Sequence, residues 1–164
     1  MKRVLFCVAM TATAITGAPA PAVHAQARQQ QADVWQPAPT PRGGVSWRVL
    51  EATRENTRTG SDGYIRSTPV FPRQVRKLEG RRVTVAGWMD AFEPGRRQTH
   101  FLLMAYPPGC PFHFHAAPNQ YIEVKAFTAF PLSSSRVINV TGTLRLSGQD
   151  ESGIFYVLEN ARPA

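Results

Sequence analysis

Arg82-Val83-Thr84-Val85-Ala86-Gly87-Trp88-Met89-Asp90 decides the fold. Val83, Val85 and Gly87 alternate with Thr84, Ala86 and Trp88, the period-two pattern of a strand with one buried face. A glycine inside such a strand marks a bulge or a sharp bend, where a sheet coils on itself. Glu93-Pro94-Gly95-Arg96-Arg97 supplies a turn. Three more strands follow at Phe101–Tyr106, Tyr121–Ala126 and Val137–Leu146, the last again with an internal glycine, Gly142. Ser147-Gly148-Gln149-Asp150 then turns the chain into a fifth strand, Ile154–Leu158. Five short strands with two internal glycines predict an all-β fold. The expected architecture is a small five-stranded OB-like Greek-key barrel, with an open β-sandwich as the alternative.

Upstream of the strands the period lengthens. Ser46 is placed to cap a short helix whose Trp47 and Leu50 face the core. Phe71-Pro72 leads into Arg73–Glu79, one or two helical turns with Val75 and Leu78 on one face and Gly80 just past the end. Glu51–Gly63 is polar and predicted to be a loop. Trp47, Trp88 and Phe101 are expected in the core.

The N-terminus reads as an export signal. Lys2 and Arg3 precede an apolar run from Val4 to Ile15, and small residues follow around Ala25, the pattern of a cleavable signal peptide over residues 1–25. That run is too short to span a bilayer comfortably. Residues 26–44 are rich in Gln, Ala, Pro and Gly and are predicted to be a flexible linker. Residues 45–164, about 120 in number, form a single domain with a modest core. The expected location is the bacterial periplasm. The net charge is +8, carried mostly by arginines spread along the chain. Such scatter is the signature of a solvated basic surface more than of one polyanion groove.

Chemistry concentrates in Cys110-Pro111-Phe112-His113-Phe114-His115. Cleavage of the leader removes Cys7 and leaves Cys110 without an intramolecular disulfide partner. In an oxidising compartment a lone cysteine is buried, metallated or paired with another molecule. Cys110 and His113 have a spacing that lets a turn bring sulfur and nitrogen to one ion. In an extended chain His113 and His115 point to the same side, with Cα atoms about 7 Å apart. Thiolate plus two imidazoles suits zinc or copper. His100 is a poor fourth ligand, because six residues of strand two separate it from the loop by roughly 20 Å. The bland alternative makes Cys110 a small buried hydrophobe, with Phe112 and Phe114 packing inward and the histidines facing water. Asn119 and Gln120 are expected to satisfy backbone groups of the same loop.

Other residues carry a family resemblance. They are Phe71-Pro72, Leu78-x-Gly80-x-x-Val83-x-Val85-x-Gly87-x-Met89 and Phe101-Leu102-Leu103, continuing through Tyr106 and Cys110 to Pro118-Asn119-Gln120-x-Ile122-x-Val124. Over roughly Trp47 to Leu158 the chain resembles the exported bacterial proteins of domain-of-unknown-function family 3299. The resemblance implies a periplasmic protein that accompanies transport systems, with metals as candidate cargo.

Three functions are therefore expected to compete. The first is a non-catalytic periplasmic binding or accessory protein, handling zinc or copper for a transporter or another periplasmic protein. The second is a thiol-dependent enzyme with Cys110 as nucleophile and His113 or His115 as base; no Asp or Glu lies nearby in sequence to orient the histidine. The third is an OB-type module that binds oligosaccharide or nucleic acid through Trp88, Phe92, Arg96 and Arg97. Nucleic acid is not an expected partner for an exported chain.

Overall fold

The computed structural model describes residues 36–108 and 116–164. Two single-turn helices, α1 (Trp47–Leu50) and α2 (Arg73–Arg76), flank an antiparallel hairpin of β1 (Arg54–Thr59) and β2 (Ile65–Val70). The remaining strands are β3 (Arg82–Ala91), β4 (Arg97–Met104), β5 (Tyr121–Pro131), β6 (Ile138–Leu146) and β7 (Tyr156–Pro163). They close into a barrel in the order β3-β4-β5-β7-β6. Every neighbouring pair is antiparallel except β5 with β7, so this is a mixed, OB-like barrel.

Alternation fills the interior. Val85, Met89, Phe101, Leu103, Ile122, Val124, Val140, Leu144 and Leu158 are all buried in one core cluster. Gly87 and Gly142 let the barrel close tightly. A Cβ on Gly87 would lie 2.6 Å from the Met104 carbonyl oxygen and 2.7 Å from Leu103 Cγ. On Gly142 it would lie 2.8 Å from both the Glu159 carbonyl oxygen and Leu158 Cγ. Backbone atoms cannot swing aside as a flexible side chain can. Gly87→Ala and Gly142→Ala are each expected to cost about 1–3 kcal/mol, read as a lower midpoint in urea unfolding. A midpoint unchanged in both variants would show that the two strands have room.

The chain before β1 packs into the main core and bonds to β3 where that strand is not paired with β4. Trp47 is 1% exposed and its Nε1 donates to the Ala86 carbonyl at 2.7 Å. Ser46 holds the N-cap position, but its side chain makes no capping hydrogen bond. Ordered packing begins before the predicted domain start. Within 36–44, a stretch whose composition predicts linker, Ala38 is buried and its N–H donates to the Ala105 carbonyl at 2.8 Å. A small residue and a backbone donor suffice to dock an extended segment, and neither alters a linker-like composition.

Tyr156, at the start of β7, packs into the same core. Its hydroxyl donates to the Leu50 carbonyl at 2.7 Å and lies 2.6 Å from Thr53 Oγ1. Burial pushes the phenol up to about 12 from an ordinary 10.0, the Thr53 hydrogen bond opposing the rise. The folded form therefore holds a proton that the unfolded chain releases first. The stabilisation is intact below pH 10 and is lost as the pH rises towards 12. Tyr106 and Tyr121 are raised in the same direction. Tyr156→Phe is expected to flatten much of the stability loss across this window while lowering stability at neutral pH. Denaturant titrations from pH 7 to 12 check both effects.

The β1–β2 hairpin departs from the predicted loop. All six β1 positions are exposed, so no apolar alternation betrays the strand. The turn between the strands contains Asp62 and Gly63, the latter at φ +80°, and the Asp62 carboxylate accepts from the Tyr64 N–H.

Candidate functional site

Cys110, His113 and His115 lie outside the described residues, while the chain on either side of them is described. The β4–β5 connection leaves the barrel at Met104 and re-enters at Tyr121, which are direct cross-strand partners. Both of its ends converge on Glu51, the residue that follows α1. Tyr106 donates its hydroxyl to Glu51 Oε1 at 2.9 Å, and Gln120 Nε2 donates to the same oxygen at 3.1 Å. Burial, with the Glu51 carboxylate second, raises the Tyr106 phenol above its usual range, so it stays a donor at neutral pH.

Asn119 extends this clamp. Its Nδ2 donates to the Glu51 carbonyl at 3.0 Å and the Thr53 carbonyl at 2.9 Å. Its Oδ1 is buried and has no hydrogen-bond partner among the described residues. The two carbonyls thus orient the amide. The expectation that Asn119 closes its own loop gives way to a contact with a segment distant in sequence. Gln120 does serve the loop, its Oε1 accepting the Ala117 N–H at 3.1 Å. A 3-10 turn at Pro118–Gln120 presents the two amides side by side.

The outer face of β4 and β5 is the second feature. Leu102, Met104 and Tyr121 form a small cluster there, with Trp88, Ala116 and Ile154 packed against it. Trp88 is only half-buried, whereas Trp47 and Phe101 are fully in the core as expected. Tyr121 donates to the Gly153 carbonyl at 2.7 Å, and burial raises its phenol.

Further along the same face the surface turns polar. His100 sits opposite Lys125 in the β4–β5 ladder, four residues before the connection begins. Its Nε2 lies 2.7 Å from Glu123 Oε1, and Lys125 Nζ lies 3.5 Å from Glu123 Oε2. The Phe92 ring packs on the His100 ring at 4.6 Å between centroids. Phe127 is exposed, with the Arg162 guanidinium 5.5 Å from its ring centroid. Of the predicted aromatic and basic face, Phe92 is here, while Arg97 turns to the Ala129 carbonyl at 2.7 Å. An open cleft of about 680 Å³ runs along Thr99, His100, Lys125, Phe127, Glu159 and Asn160. Among the described residues no group of three or more His, Cys, Asp or Glu side chains is placed to hold a metal ion.

The cleft has one backbone peculiarity. Asn160 occupies the left-handed region at φ +49°. It belongs to a bulge where β7 slips register against both β5 and β6. Bulges of this kind re-aim side chains at the sheet surface. Neither the bulge nor Asn160 carries a recognisable local sequence signal.

The sequence matches no protein-family model and no curated protein. The structure matches a crystal structure of a DUF3299 family protein from Pseudomonas aeruginosa PAO1, at 19% sequence identity and a TM-score of 0.44, over 58% of this chain and 67% of that one.

Proposed function

We propose that this is an exported, non-catalytic binding protein that handles zinc or copper through Cys110, His113 and His115. Its partner on this reading is a transporter or another periplasmic protein. The observation that favours the reading is the double tether of the β4–β5 connection. Tyr106 and Gln120, on opposite sides of the ligand residues in sequence, share one carboxylate oxygen of Glu51. Fixing both ends of a segment lowers the conformational entropy it loses when a ligand gathers its side chains. The donor chemistry of one thiolate and two imidazoles suits a borderline-soft ion.

Elemental analysis of untagged full-length protein is expected to find about one zinc or copper per chain. The Cys110→Ala/His113→Ala double variant is expected to lose it. Purified apo protein that takes up neither ion at micromolar concentration would overturn the proposal. Uptake that survives the double substitution would overturn the assigned ligands.

A further inference from the structure

The cleft beside His100 is not used by the metal proposal, and its chemistry is different. We propose that the outer face of β4, β5 and β7 binds a neutral oligosaccharide along the cleft bordered by His100, Lys125, Phe127, Glu159 and Asn160. The cleft, about 680 Å³ in volume, lies within the roughly 300–1,000 Å³ typical of small-molecule sites. Its shape is a shallow trough on a sheet surface, which suits a short chain of sugar rings.

Ring faces and polar groups alternate along it. Phe127 is 74% exposed, a large apolar ring with no role in the core. Such a ring offers a flat surface to the C–H face of a pyranose, and its burial on binding removes apolar area from water. Phe92, half-exposed and packed on His100, extends the platform to the β3–β4 turn. Around the rings stand donors at Lys125 and Arg162, an acceptor at Glu159, whose Oε2 also accepts from Arg145 Nε at 3.0 Å, and an amide at Asn160 that can do both. Sugar hydroxyls both donate and accept, so they need such a mixed set. The left-handed Asn160 in its bulge is the kind of locally costly conformation that persists at binding sites.

Charge selects the ligand class. Grooves that track a phosphate backbone are lined by uncompensated cations. Here Lys125 is answered by Glu123 at 3.5 Å, and the Glu159 carboxylate already holds the Arg145 guanidinium at 3.0 Å, so both carboxylates are paired with cations. A polyanion laid along the cleft would have to pull these cations from their carboxylates and would be repelled by the carboxylates themselves. A neutral chain faces neither cost.

The test uses full-length protein and isothermal titration with chitotetraose, maltotetraose and mannotetraose in turn. Oligo-dT and heparin serve as polyanion probes at the same ionic strength. At least one neutral tetrasaccharide is expected to bind, with NMR amide shifts centred on residues 99–100, 125–127 and 159–162. Phe127→Ala, at an exposed position, is expected to weaken binding by about tenfold or more. Asn160→Gly removes the amide yet suits the left-handed backbone, so it should weaken binding while leaving the Tm unchanged or raised. Cys110→Ala/His113→Ala should bind sugar as the wild type does, which separates this site from the metal proposal. No binding of any tetrasaccharide at about 10 mM, binding of the polyanions alone, or full affinity in Phe127→Ala would each overturn it.

Discussion

Trp47→Ala is expected to destabilise the folded domain by about 3–5 kcal/mol, out of a total that for domains of this size is about 5–15 kcal/mol. Two losses add. The indole is 1% exposed in the main core, so its removal leaves a large cavity among residues held by the barrel. Its Nε1 also donates to the Ala86 carbonyl at 2.7 Å, and that buried carbonyl is left unpaired. Helix α1 spans only Trp47–Leu50 and cannot be stable in isolation. Its attachment therefore rests on Trp47, on Leu50 and on the Tyr156 hydroxyl, which donates to the Leu50 carbonyl. Trp47→Phe separates the two losses. It retains much of the ring's packing but drops the donor, so a cost of about 1–3 kcal/mol is expected. Urea unfolding followed by far-UV circular dichroism reads both. An alanine variant within about 1 kcal/mol of the wild type would mean that the barrel closes without this side chain.

The strands of the barrel were legible for two reasons: most alternate between a common core and a more exposed face, and β4 carries a continuous apolar run, Phe101–Met104, that is buried on both faces. Val83-x-Val85-x-Gly87 shows this alternation, and the two mid-strand glycines stand where the structure has backbone within 3 Å of a missing Cβ. Strand ends were less visible. β7 runs to Pro163, past the predicted Leu158, because Glu159 and Asn160 break the alternation at the bulge. β1 was invisible, since a strand whose six positions are all exposed needs no apolar period. Trp88, expected in the core, is half-buried and packs both against the main core and against the outer cluster of Leu102 and Met104.

The functional surfaces divide similarly. The Cys110–His115 cluster is recognisable from residue type and spacing within one short segment. Its tether is not, because Glu51 and Gln120 are separated by 69 positions. The cleft draws on β4, β5 and β7 at once, and only the closed barrel brings His100, Phe127 and Asn160 together. Aromatic and basic residues in the sequence pointed to an OB-type face in general terms. The pairing of Glu123 with His100 and Lys125 depends on strand register.

Asn119→Asp is the sharpest probe of the tether, with an expected cost of about 2–5 kcal/mol at neutral pH. The two side chains have nearly the same shape, so packing is unchanged and only the hydrogen bonds differ. In the wild type Nδ2 donates to the carbonyls of Glu51 and Thr53 at 3.0 and 2.9 Å. The substitution puts a carboxylate oxygen against both carbonyls, replacing two attractions by two repulsions. The other oxygen gains no donor there, because Asn119 Oδ1 has no partner among the described residues. The new carboxyl escapes by protonating, which restores one donor, so its pKa in the folded state rises above the unfolded value near 4. Its stability relative to the wild type is therefore best below about pH 4 and worsens as the pH rises through the folded pKa. Asn119→Ala leaves the same carbonyls unpaired without the repulsion, and its smaller deficit should not vary over this range. Denaturant titrations of the three proteins between pH 3.5 and 7 decide the matter. If the aspartate variant stays within about 0.5 kcal/mol of the wild type at pH 7, Asn119 is not tethering the segment, and the preorganisation argued for Cys110, His113 and His115 rests on Tyr106 and Gln120 alone.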